Sequence, residues 1–194
     1  MYDYFKGKLV IKAPTHVVME VGGIGFYLHI SLTTYSQIKD QEDCKLYASF
    51  IVREDSHTLY GFATEAERHL FHHLISVSGI GPNTGRMMLS SITPEEIQQA
   101  IIAGQVAIIQ KIKGIGPKTA QRVILELQDK LKKQGPDALL PLVISKPSAV
   151  DEALSALVML GFPKQQAEKV LQSLDDASSE QTVEQLIKAA LKKL

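Results

Sequence analysis

The sequence predicts an α+β multidomain protein with a small closed β-barrel first, an all-helical middle, and a three-helix unit at the C-terminal end. Three observations carry that prediction. Apolar residues alternate with period two up to about residue 63, the spacing becomes helical from residue 64, and the middle region superposes on itself at an offset of 35 residues.

In the first region Leu9/Ile11, Val17/Met19/Val21, Phe26/Leu28/Ile30, Leu46/Ala48/Phe50/Val52 and Leu59/Gly61 each fall on one face of a strand, and Ala13-Pro14 and Gly22-Gly23 supply turns. Five short strands within residues 1–63 fit a Greek-key barrel of the oligonucleotide/oligosaccharide-binding type, although an SH3-like barrel would show nearly the same pattern. The single cysteine, Cys44, falls within a strand pattern. One cysteine excludes an internal disulfide and a Cys-rich zinc site, and a small, partly buried thiol is expected.

From Thr64 the signals are helical. Thr64-Glu65-Ala66-Glu67 reads as a capping box ahead of Leu70, Phe71, Leu74 and Ile75, and Thr93-Pro94-Glu95-Glu96 repeats the signal, with Gly104 as a stop. These helices define a domain over residues 64–134. Residues 135–148, with three prolines, read as a linker, although its run Leu139–Ile144 is unusually apolar. Residues 149–194 then form a three-helix unit of the ubiquitin-associated type. Ser148 is expected to cap its first helix over 149–160, Gly161-Phe162-Pro163 to restart the chain through about residue 173, and Ser178 or Ser179 to cap a last helix ending at Leu194.

The 35-residue repeat carries the chemistry. It places Gly79-Ile80-Gly81-Pro82-Asn83-Thr84 on Gly114-Ile115-Gly116-Pro117-Lys118-Thr119, with helical spacing on both sides, and so defines two helix-hairpin-helix units. Glycine permits the tight turn and a close backbone approach, and proline presets the first helical turn. The free amides of that turn, at the positive end of the helix dipole, suit an anion. A DNA phosphate is the expected ligand, and contacts to phosphate position a protein without selecting sequence. Candidate phosphate-binding residues are Gly79, Gly81, Asn83, Thr84 and Arg86 in the first copy, and Gly114, Gly116, Lys118, Thr119 and Arg122 in the second. Asn83 and Met87 occupy the positions of Lys118 and Arg122, so the second grip is expected to be the stronger.

The net charge is zero, which excludes a uniformly basic DNA-binding surface. The charge is nonetheless uneven. Residues 1–63 hold 6 Lys+Arg against 7 Asp+Glu, residues 64–134 hold 9 against 6, and residues 135–194 hold 6 against 8. No run reaches the roughly 20 apolar residues of a membrane span, and Met1–Gly7 lacks the layout of a signal peptide, so a cytoplasmic protein with no membrane partner is expected. Gly114–Thr119 does not have the spacing of a nucleotide-binding P-loop. His72 and His73 are adjacent on one helix and cannot face one metal, so they read as structural. No catalytic constellation, metal site or cofactor site stands out. An enzymatic alternative, a glycosylase or nuclease anchored by its hairpins, would need a carboxylate after the hairpin, and Glu126 and Asp129 are the candidates.

Val21-Gly22-Gly23-Ile24-Gly25, Val52-Arg53-Glu54-Asp55 with Leu59-Tyr60-Gly61-Phe62, both Gly-Ile-Gly-Pro hairpins and Ala156–Phe162 together resemble the RuvA family of Holliday-junction-binding subunits, over the whole chain. The resemblance implies a bacterial, non-catalytic scaffold that binds four-way junction DNA regardless of sequence, as a homotetramer or a face-to-face octamer. It implies a RuvB-type hexameric ATPase as partner, a RuvC-type resolvase as another, and roles in recombination and repair. It further implies that Glu54 and Asp55 form an acidic pin near the tetramer centre and that Leu157, Leu160 and Phe162 contact the motor, at least one of the three being core. The family often has lysine where Asn83 stands.

Overall fold

The computed structural model describes residues 2–134, 148–175 and 182–194. The linker at 135–148 therefore lies, apart from Ser148, outside the described residues, as do its apolar run 139–144 and both Ser178 and Ser179. Two compact units are present, Met1–Pro141 and Leu142–Leu194.

Strands β1 (Tyr4–Ala13), β2 (His16–Val21), β3 (Ile24–Ile30), β4 (Asp43–Val52) and β5 (His57–Phe62) close a barrel in the order β1-β2-β3-β5-β4. The β3–β5 pairing is parallel and the others are antiparallel. This Greek-key order settles the barrel type as oligonucleotide/oligosaccharide-binding. Alternation works as expected for most of the lining, with Phe5, Leu9, Val17, Met19, Leu28, Ile30, Leu46 and Ala48 inside. Gly22 and Gly23, at φ 59° and 82°, make the tight β2–β3 turn that only positive φ allows.

Two expectations for the barrel are corrected. Leu9 pairs with Met19 but Ile11 pairs with Val18, so Val10 is an extra residue in a bulge. The bulge reverses the alternation, and Ile11 stands outside, 49% exposed. Period-two reading also passed over a short helix, α1 (Leu32–Ile38), capped by Ser31, whose side chain accepts from the Thr34 amide.

The helical layer of this unit comprises α2 (Glu65–Ser76), α3 (Pro82–Ser91), α4 (Pro94–Ile102), α5 (Val106–Gln110) and α6 (Pro117–Gln134). Thr93 and Glu96 form the expected capping box at α4, and Gly104, at φ 70°, follows the helix end. At α2 only half of the box exists. Thr64 accepts from the Glu67 amide, but the Glu67 carboxylate turns toward the barrel and accepts from the hydroxyls of Ser31 and, at 2.6 Å, Thr34. Burial pushes the Glu67 carboxyl above its ordinary value, and these hydrogen bonds oppose the rise. Tyr60 and Phe62 of β5 pack on Phe71 of α2 and join the helical core. Barrel and helices thus share one compact unit.

The second unit consists of α7 (Ala149–Met159), α8 (Lys164–Asp175) and α9 (Val183–Leu191), packed around Ala153, Leu157, Ala167, Leu171, Leu186 and Ala190. Ser148 caps α7 as expected, in a full box with Asp151. The last helix is capped by Thr182, in a box with Gln185, and ends at Leu191 instead of Leu194.

Candidate nucleic-acid interface

Each hairpin is built around one buried isoleucine. In the first, Ile80 is 4% exposed and its amide donates to Val77 O at 3.0 Å; in the second, Ile115 is 5% exposed and donates to Ile112 O at 3.0 Å. The glycine before each isoleucine is left-handed, Gly79 at φ 95° and Gly114 at φ 89°, a conformation that disfavours any side chain. Gly81 O then accepts from Gly85 N and Gly116 O from Ala120 N, both at 2.9 Å, opening α3 and α6. The repeat is therefore structural as well as sequential.

No side chain caps α3, and neither first turn, Pro82-Asn83-Thr84 or Pro117-Lys118-Thr119, carries an acid. The positive ends of both helix dipoles are left uncompensated, an arrangement that attracts anions. The two hairpins are neighbours, since a Cβ built on Gly79 would lie 4.0 Å from Thr119 Oγ1. Gly79, Gly114, Gly116 and Lys118 are exposed, while Gly81, Thr84 and Thr119 are half-buried.

The charged side chains differ from expectation. Arg86 does not reach the hairpin surface; its guanidinium donates to the Thr15 and Ile30 carbonyls at 2.9 and 3.3 Å and ties α3 to the barrel. Asn83 accepts from the Tyr60 hydroxyl at 3.2 Å, so its side chain is already engaged. Arg122 is exposed but donates from Nε to Glu126 at 2.8 Å, one helical turn on, which offsets part of its charge.

The first hairpin has a cation that the repeat could not reveal. Arg53, at the end of β4, brings its guanidinium to 3.8 Å from where a Gly81 Cβ would sit. It lines a polar cavity of about 280 Å³ with Ser56, Thr58, Tyr60, Gly81, Pro82 and Asn83. Glu54 and Asp55 follow at once, exposed at the tip of the β4–β5 turn, which is closed by Arg53 N–H donating to Ser56 O at 2.8 Å. A cation facing the hairpin and two carboxylates facing solvent thus lie within three consecutive residues. Around Cys44, which is half-buried as expected, burial pushes the thiol up to about 11.

In the second unit the three candidate contact residues separate. Leu157 is fully buried in the core and is the core member expected among the three. Phe162 is half-buried and packed on that core. Leu160 is 62% exposed beside Met159 at 88% and Val158 at 41%, two residues that the sequence reading did not single out. Among the described residues no group of three or more His, Cys, Asp or Glu is placed to hold a metal, and no helix is long and apolar enough to cross a membrane.

A Greek-key barrel fused to a tandem helix-hairpin-helix layer, with open helix N-termini side by side, defines a class of proteins built to hold nucleic-acid backbone. Family comparison narrows the class. Residues 1–61 match the RuvA N-terminal domain, residues 71–129 the SAM-like helix-hairpin-helix tandem, and residues 148–194 the RuvA C-terminal domain. Over its whole length the chain is 52% identical to the Holliday junction branch migration complex subunit RuvA of Christiangramia forsetii, with all of both chains covered. The proteins of that name from Cytophaga hutchinsonii and Flavobacterium psychrophilum are 49% and 47% identical, over 99% of both chains and all of both chains respectively. The chain belongs to the RuvA family.

Proposed function

We propose that this protein is the junction-binding, non-catalytic subunit of a bacterial branch-migration complex, holding a four-way DNA junction open in the cytoplasm while a partner supplies ATP hydrolysis. The observation that carries the reading is the opposition of charge within the first unit. Two adjacent hairpins offer bare amides, Lys118 and Arg53 to phosphates, while Glu54 and Asp55 stand exposed beside them.

Phosphates are attracted at the hairpins and repelled at the carboxylates. In a four-fold ring the carboxylates cluster at the centre and the hairpins grip the arms outside it, an arrangement that favours separated strands over a continuous duplex. Of the candidate phosphate-binding residues, Gly79, Gly81, Gly114, Gly116, Thr84, Thr119 and Lys118 keep that role, Arg53 joins them, and Arg122 contributes in competition with Glu126. Asn83 presents its backbone.

The relatives are named as subunits of a complex, and the exposed Val158-Met159-Leu160 patch of the second unit is the proposed seat of a RuvB-type hexameric motor. Tetramers, single or paired as octamers, and a RuvC-type resolvase complete the proposed assembly, which uses no cofactor of its own. Nothing favours the glycosylase or nuclease alternative, and Glu126, its candidate carboxylate, is ion-paired with Arg122.

The reading is tested by titrating a four-way junction and a linear duplex of equal arm length. Junction binding at least about tenfold tighter is expected, a floor set well below the roughly 10³-fold by which specific DNA binding usually exceeds non-specific binding. Equal affinity overturns it.

A further inference from the structure

The outer face of the barrel carries an aromatic row that the hairpin grip does not use. Because Val17, Met19, Leu28 and Ile30 point inward, His16 on β2 and Tyr27 and His29 on β3 point outward. His16 and Tyr27 stack at 4.7 Å and 14°, Tyr27 meets His29 edge-on at 5.1 Å, and His29 tilts on Tyr60 of β5 at 5.7 Å. The row ends at the first hairpin, where the Tyr60 hydroxyl donates to Asn83. Its outer end is open, with Tyr27 48% exposed.

We propose that this face of β2 and β3 is a stacking surface for unpaired DNA bases, fed by the strand whose phosphates the first hairpin holds. The inference rests on the DNA-holding reading and adds to it the chemistry of the strand, unpaired instead of paired. Exposed aromatic rings offer π-faces on which any base stacks, without sequence preference. Barrels of this topology generally use the β2–β3 face for oligonucleotides. The row is continuous with a phosphate grip, and Arg53 and Arg86 both lie close enough to Tyr60 to act on it electrostatically. Burial, together with the charges of Arg86 and His16, holds His29 below its ordinary value and favours a neutral ring that packs on its neighbours. At the far end Glu20, outward on β2 opposite Gly25, repels phosphate and keeps the surface short.

The test compares the full-length protein with a variant carrying Tyr27→Ala and His16→Ala, on two fluorescent probes: a short oligothymidylate and a fully paired four-way junction. Oligothymidylate affinity should fall about tenfold, as expected for one lost base stack, while junction affinity moves less than about twofold. Tyr27→Phe, which keeps the ring, should bind oligothymidylate like the parent, and this guards against a folding defect in the double variant. Unchanged oligothymidylate binding, equal loss on both probes, or a changed oligomeric mass in sedimentation would each overturn the proposal; the last would make the face an interface between copies. A parent protein that binds the junction but not oligothymidylate sinks this inference alone. One that fails on the junction sinks the DNA-holding reading beneath it.

Discussion

The first hairpin is stitched to the barrel by side-chain hydrogen bonds, whereas the second, between α5 and α6, packs into the helical core, though the two backbones nearly coincide. Gly79 and Gly114 differ by 6° in φ, from 95° and 89°, and Ile80 and Ile115 are buried to within 1% of each other, at 4% and 5%. Around the first, Arg86 binds the Thr15 and Ile30 carbonyls, Thr33 donates to Leu89 O at 2.7 Å, and Arg53 reaches the hairpin from β4. Around the second, the cations are local, with Lys118 free on the surface and Arg122 paired to Glu126. A repeat can copy backbone geometry while leaving each copy to find its charge elsewhere. The cation count therefore does not by itself favour the second hairpin.

That comparison can be broken at the glycines. Gly79→Ala and Gly114→Ala each force a side chain into the left-handed region, at a cost of about 1–3 kcal/mol. With space for a Cβ at both positions in the free protein, the strain falls on stability, while the added methyl stands where a phosphate would approach, and junction affinity should fall on the order of tenfold in either variant. Titrations read against melting temperature would check this, and a loss confined to one variant would mean that only one hairpin grips DNA. A smaller effect sharpens the comparison. If Arg53 and Lys118 play matching roles, Arg53→Gln and Lys118→Gln should each lower the slope of log affinity against log salt by about one. A change in the Lys118 variant only would return the first hairpin to backbone amides alone.

The elements most legible in the sequence were those set by local periodicity and turn chemistry. The five strands, the helices that follow them, the box at Thr93, the cap at Ser148, and both hairpins all obey rules that act within a few residues. What escaped was set by tertiary neighbours. Inserting Val10 costs β1 one step of register and turns Ile11 outward, which no count of alternating residues reveals. Glu67 has a better use beneath α1 than at its own helix cap, because Ser31 and Thr34 meet it there. Arg86 stands on the expected helix but faces the barrel, and Arg53 is remote in sequence from the hairpin it serves. Leu157 and Leu160, three residues apart on one motif, fall on opposite sides of the surface, and only packing shows which is core. The role proposed for the carboxylates at 54 and 55 comes from the family resemblance, because two adjacent acids at an exposed turn carry no signal of their own.

The central claim is that attraction at the hairpins and repulsion at Glu54 and Asp55 together select a junction. Its most direct test is the ratio of four-way-junction to linear-duplex affinity in the parent and in a variant carrying Glu54→Lys and Asp55→Lys. The predicted result is a several-fold fall in the ratio, caused by tighter duplex binding at unchanged melting temperature. A ratio that stays the same when both charges are reversed would contradict it.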